Sequence, residues 1–108
     1  MGLVMNKEER LAALLSKAND LPLSSGVYIM KDKGGRIIYV GKSKKLKNRV
    51  TSYFRGGYKN YKTQRMVMSV HDFDVIFVDS EIEALTLENT LIKKHSPRYN
   101  IKIGRAHV

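Results

Sequence analysis

Tyr28, Tyr39, Lys42, Arg49, Tyr53 and Glu88 are the residues of this chain whose types could act together on one bond. They offer phenols, cations and one carboxylate, a set that suits hydrolysis of a phosphodiester. A free phenol titrates near ~10, so it is a poor base at neutral pH unless a neighbouring cation or a metal-bound water helps it. Other familiar catalytic sets are missing. There is no Gly-x-Ser-x-Gly, no P-loop and no dinucleotide fingerprint. His71, His95 and His107 lack zinc spacing and there is no Cys, so all three read as surface residues.

The charge distribution points to the substrate. The 108 residues carry a formal net charge of +10. Residues 31–65 hold twelve Lys or Arg and one acid, Asp32, whereas residues 72–88 hold six acids and no Lys or Arg. A positive field of this density attracts polyanions, of which nucleic acid is the commonest; the alternative is that the charge serves solubility. Five of the six Tyr lie between positions 28 and 61 among these cations. They either stack on bases and bond phosphates or fill half-buried strand and helix positions. No apolar stretch approaches the roughly 18 residues of a membrane span. Lys7–Arg10 is charged where a secretory signal needs an apolar core, so a cytoplasmic location is expected.

The elements that must position these side chains follow from local pattern. The length fits one domain, and 43% hydrophobic residues are enough for one core. Leu11, Leu14, Leu15 and Ala18 predict an amphipathic helix over Lys7–Asn19, stopped before Pro22. Gly26–Lys31 and Arg36–Gly41 predict a β-hairpin around Asp32–Gly35. With residues 32–35 as the loop, Tyr28 pairs directly with Tyr39 and both point to one face. Val27, Ile29, Ile38 and Val40 then form the core face. Ser43 is the expected N-cap of a helix running to about Phe54, with Leu46, Val50 and Tyr53 in its stripe. Arg49 shares that stripe, so it either reaches past it to solvent or meets an anion. A basic loop, Gly56–Lys62, precedes a short helix over Thr63–Val70. Phe73–Asp79 alternates as a third strand. Ser80 and Glu83 predict a capping box opening a helix to about His95, with Ile82, Leu85, Asn89 and Ile92 as its stripe and Ala84, Leu87 and Leu91 beside it. Glu88 stands among apolar neighbours there, so it needs a cationic side chain or a divalent metal as partner. Together these elements predict an α/β fold of the α+β type: a small three-stranded antiparallel or mixed sheet surrounded by helices.

Gly26-Val27-Tyr28, followed by Tyr39-Val40-Gly41, resembles the paired motif of the GIY-YIG nuclease family. The likeness continues through Lys42, Lys47-Asn48-Arg49, Ser52-Tyr53-Phe54, Glu83-Ala84-Leu85, Leu87-Glu88-Asn89, Leu91-Ile92-Lys93-Lys94 and Pro97-Arg98-Tyr99-Asn100-Ile101. The ordered set is similar to the UvrC-like excision-repair branch, including its shorter Cho-type homologues, over residues 21–102. That division leaves 1–20 as an N-terminal helical segment and 103–108 as a tail.

The resemblance implies a GIY-YIG fold and a metal-dependent endodeoxyribonuclease that makes the 3′ incision in nucleotide excision repair. It implies one Mg²⁺ or Mn²⁺ ion with Glu88 as the sole protein ligand. Tyr39 would lie against the attacking water and Tyr28 would bond within the same cluster. Lys42 would hold that cluster and lower a phenol pKa, Arg49 would bind the scissile phosphate, and Tyr53 would contact phosphate or water. Gly41 and Asn100 would fix the local structure. Lys44, Lys45, Lys47, Arg55, Lys59 and Lys62 are the expected DNA-binding cations. A UvrB-like protein would be a partner through regions this chain does not contain, which makes the chain either a fragment or a small stand-alone relative. Two other readings stand beside this one: a GIY-YIG nuclease of a mobile element or phage, and a non-catalytic DNA-binding module.

Overall fold

A computed structural model describes residues 5–57 and 60–101. The chain order is α1 (Lys7–Asn19), β1 (Gly26–Lys31), β2 (Ile37–Ser43), α2 (Leu46–Phe54), α3 (Tyr61–Ser69), β3 (Asp72–Phe77) and α4 (Glu81–His95). The strands form one antiparallel sheet in the order β2-β1-β3. Of the two sheet types expected, it is therefore the antiparallel one. Lys59, His107 and the 103–108 tail lie outside the described residues.

Helix ends follow local side-chain chemistry. A capping box opens α1: Glu9 N donates to Asn6 Oδ1 at 2.8 Å and Asn6 N donates to Glu9 Oε1 at 3.0 Å. Asn60 caps α3 by accepting from Thr63 N. Ser80 caps α4 as expected, but Glu83 reaches back to Asp79 N and not to the cap's own N–H. Ser43 does not cap α2. It belongs to β2, its Oγ accepts from Lys45 N, and Lys45 precedes the helix with no side-chain cap bond. Helix α4 ends at Ser96, whose left-handed φ of 44° turns the chain before Pro97.

The hairpin register differs from the one expected, by two separate one-residue shifts. Asp32 N donates to Arg36 O and Gly35 N to Asp32 O, so only three residues project beyond the last hydrogen-bonded pair. Ile38 is then an extra residue in β2: Met30 faces Tyr39 while Lys31 faces Ile37. Tyr28 consequently lies opposite Gly41 and not Tyr39. Two shifts preserve parity, so both tyrosines still share a face, now as a diagonal pair.

That face is not open to solvent, because both faces of the sheet are covered. Tyr28, Met30 and Phe73 pack beneath Leu14 and Ala18 of α1, Leu46, Val50 and Phe54 of α2, and Met66 and Val67 of α3. Ile38 joins this larger core, not the other face as expected, because the bulge turns it to the Met30 side. On the opposite face Val27, Ile29 and Val40 pack against α4. The stripe of α4 is also displaced. Ala84, Leu87, Leu91 and Ile92 meet the sheet, while Ile82 and Leu85 are 79% and 46% exposed. Glu88 therefore shares the sheet-facing side of its helix, half-buried between Leu87 and Leu91. Among the described residues no helix is long and apolar enough to cross a membrane.

Candidate active site

Three phenols form the centre of the site. Tyr28 and Tyr53 share a hydrogen bond of 2.8 Å between their hydroxyls. The rings of Tyr28 and Tyr39 lie 6.2 Å apart, those of Tyr28 and Tyr53 5.7 Å, and those of Tyr39 and Tyr53 6.5 Å. Strand β1 supplies the first, the edge strand β2 the second and α2 the third. The glycine of the second motif has a steric role. A Cβ on Gly41 would lie 2.3 Å from Tyr28 Oη and 2.4 Å from its Cζ, so the ring occupies the space a side chain would need.

Backbone hydrogen bonding fixes β2 from outside the sheet. Asn100 is buried; its Oδ1 accepts from Val40 N and its Nδ2 donates to Val40 O, both at 2.8 Å. An edge strand leaves such groups unpaired, and one carboxamide satisfies both. The peptide groups of Val40 lie between Tyr39 and Gly41, so this clamp sets the position of the Tyr39 ring.

The electrostatics join α2 and α4 to the cluster. Burial, followed by the neighbouring Tyr53 and Tyr39, holds the Tyr28 hydroxyl well above the ordinary phenol range. Tyr39 is also raised, by burial first, then by Tyr53 and the Glu88 carboxylate. The Arg49 guanidinium opposes both shifts. Glu88 and Arg49, carried on different helices over different faces of the sheet, thus act on the same phenol. Helix α4 packs mainly across β2, so the cluster and the carboxylate meet around the edge of that strand.

Lys42 is exposed and lies on the side of the sheet that also carries Glu88. It faces Val27 on the α4 side of the sheet and lines a small recess with Ser25, Lys44 and Glu81. Arg49 is exposed in an open groove of about 580 Å³ along α2, with Lys44, Lys45, Asn48 and Ser52. Lys44 also pairs with Glu81 at 2.5 Å. Lys47 is half-buried, Arg55 is exposed at the end of α2, and Lys62 lies on α3. Asn48 and Ser52 entered the sequence reading only as parts of the family motif and not as DNA contacts, although 45, 48, 49 and 52 recur at helical spacing and mark one face.

The donor set suits a hard cation. Glu88 is a half-buried carboxylate whose charge acts on the Tyr39 phenol, with no thiol in the chain. Among the described residues no group of three or more His, Cys, Asp or Glu could hold a metal. A single carboxylate with oxygen neighbours fits Mg²⁺ or Mn²⁺, which retain several waters.

The family model for the UvrC-like GIY-YIG domain matches residues 24–101. UvrABC system protein C of Desulfitobacterium hafniense is 59% identical over 88 residues, covering 82% of this chain and 14% of that protein. Its counterpart in Methanococcus maripaludis is 51% identical over 85 residues, covering 79% of this chain and 16% of that protein. The chain therefore spans less than a fifth of the length of these relatives. Among solved structures, a point mutant of the GIY-YIG N-terminal endonuclease domain of UvrC from Thermotoga maritima, bound to its catalytic divalent cation, superposes with a TM-score of 0.72. It is 39% identical and covers 82% of this chain and 94% of its own. The magnesium-bound form of that domain superposes with the same TM-score at 40% identity, covering 82% and 96%.

Proposed function

Because the chain belongs to the UvrC-like GIY-YIG domain family, we propose that it is a divalent-metal-dependent DNA endonuclease domain making the 3′ incision of nucleotide excision repair. The observation that carries this reading is the cluster of Tyr28, Tyr39 and Tyr53, flanked by Glu88 of α4 and Arg49 of α2, whose charges act on Tyr39. A DNA-binding module would need the basic groove but no carboxylate acting on a half-buried phenol.

Each residue has a definable task. Glu88 holds the cation, which when bound polarises the phosphate and eases departure of the leaving oxygen. Tyr39 orients the attacking water by hydrogen bonding. Burial first, then Tyr53 and Glu88, keep Tyr39 protonated at neutral pH, so it acts on the water as a hydrogen-bond partner, and any proton it takes from that water requires its own to pass on to solvent. Tyr28 and Tyr53, bonded to one another, hold the Tyr39 ring in place. Arg49 binds the scissile phosphate and stabilises the charge developing on it. Lys44, Lys45, Asn48 and Ser52 hold neighbouring phosphates along the groove. Lys42 flanks the site from the α4 side. A UvrB-like partner delivers the substrate through parts of the relatives that lie beyond this chain, and a repair role places the protein in the cytoplasm.

The test is cleavage of a nicked or pre-incised duplex with Mn²⁺ by wild type, Glu88→Ala and Arg49→Ala, with folding checked by circular dichroism. Cleavage is expected in wild type, at background in Glu88→Ala, and reduced on the order of 10²- to 10³-fold in Arg49→Ala. Wild-type binding to DNA without metal-dependent cleavage would favour the binding-module reading instead.

A further inference from the structure

A second concave surface lies on α3. Tyr61, Lys62, Arg65 and Tyr99 line a cleft of about 220 Å³. Tyr61 and Arg65 also line the adjoining recess over Gln64, Met68 and Ser69. Tyr61 is the first residue of α3 and is 67% exposed, so the core does not account for an aromatic ring there. Arg65, one turn later, lies 5.7 Å from the centre of that ring, and its Nη1 donates to Tyr61 Oη at 3.2 Å.

The charge of Arg65 is held in place without being neutralised. The ion pairs among the described residues join Lys17 to Asp72, Lys31 to Asp74 and Lys44 to Glu81. None involves Arg65, and residues 33–71 contain no Asp or Glu. A second cation–aromatic pair, Arg98 over Tyr99 at 5.0 Å, stands at the same cleft. Tyr99 is buried, bonds Ser69 at its hydroxyl and forms the floor. Its neighbour Asn100 clamps Val40 beside Tyr39, so the floor of the cleft is one residue from the clamp that positions the active-site phenol.

We propose that the α3 cleft binds an unpaired nucleotide of the DNA strand flanking the cleaved phosphate, with its base stacked on Tyr61 and its phosphate held by Arg65 and Lys62. This rests on the nuclease reading of the phenol site and extends its substrate track from α2 onto α3. An exposed tyrosine beside uncompensated cations is the combination that holds single strands: every base has a face to stack, and the cations follow the backbone. A base paired within a duplex is stacked on both sides and has no face to offer.

Fluorescence anisotropy without divalent metal separates the possibilities, using a labelled single strand and a blunt duplex of equal length. The proteins are wild type, Tyr61→Ala, Tyr61→Phe and Arg65→Gln, all at exposed positions, with folding followed by circular dichroism. Tyr61→Ala is expected to weaken single-strand binding about 5- to 150-fold and leave duplex binding unchanged, while Tyr61→Phe binds as wild type. Arg65→Gln is expected to reduce the salt dependence of single-strand binding by about one phosphate contact. Equal single-strand affinity of Tyr61→Ala and wild type overturns the inference, as does an equal loss on both DNAs. Wild-type cleavage with Mn²⁺ is scored separately. If wild type cuts DNA while Tyr61→Ala binds normally, only the α3 site fails; if wild type does not cut, the nuclease reading fails whatever the anisotropy shows.

Discussion

Among the described residues, the face of the sheet that carries Tyr28 is covered by three helices, whereas the face that carries Val27 is covered by α4 alone. The first face holds large, fully buried side chains such as Met30, Phe73, Leu46 and Met66. On the second, Ala84 is the buried residue of α4, with Leu87, Leu91 and Ile92 partly covered and Ile82 and Leu85 left outside. Phenol positions are thus set by close packing, and the carboxylate position by one lightly buried helix. Substitutions beneath α1–α3 should therefore act through stability. Substitutions on α4 should act through chemistry.

The largest stability effect is expected at Gly41, where the two faces meet at the edge strand. Gly41→Ala drives a methyl group into the Tyr28 ring, which cannot yield because it is itself buried. Overpacking of this kind costs about 1–3 kcal/mol or more. Urea unfolding should show that loss together with loss of cleavage. A stable and active Gly41→Ala would mean that the phenol face is loosely packed.

Asn100→Ala comes next. It strands the N–H and C=O of Val40, and a buried group left unpaired costs about 1–3 kcal/mol. Asn100→Asp keeps the acceptor but sets a buried carboxylate oxygen against the Val40 carbonyl, so at neutral pH it should be at least as unstable as alanine.

Tyr28→Phe probes the same face through pH. Its hydroxyl has a raised pKa in the folded protein, so the folded state keeps a proton that the unfolded chain releases near ~10. The resulting stability is complete below that pH and is lost as pH rises toward the folded value. Denaturation curves at increasing alkaline pH should therefore fall less steeply for Tyr28→Phe than for wild type. Parallel curves would mean that Tyr28 does not titrate differently on folding.

The smallest effect is expected at Ile82, on the exposed side of α4. Ile82→Ser should leave stability within about 0.5 kcal/mol of wild type, as at an ordinary surface position. A larger loss would show α4 to be anchored by more than its Ala84–Leu91 side.

The same contrast explains what was legible in the sequence. Helix α1 and strand β1 fall on the residues read from periodicity and Pro22, and Ser80 caps α4, because these are local signals. Register was not local. It depends on how Asp32 closes the turn and on the extra residue at Ile38, and neither shows in an alternating pattern. The stripe of α4 was misplaced because its helix is apolar on several sides, so spacing alone could not choose between Ile82 and Ala84. Tyr28, Tyr39, Arg49 and Glu88 were singled out by side-chain type and by the ordered family motif, which burial could not have done for the exposed Arg49. Arg65 was passed over because a lone arginine on a short polar helix carries no such signal until Tyr61 and Tyr99 are seen around it.

The account turns on Glu88 holding a cation beside the phenols, and Mn²⁺ binding measured by electron paramagnetic resonance tests it without relying on activity. Wild type is expected to take up one ion, and Glu88→Gln to take up none while its unfolding curve stays close to wild type. Undiminished Mn²⁺ uptake by a folded Glu88→Gln would contradict the account.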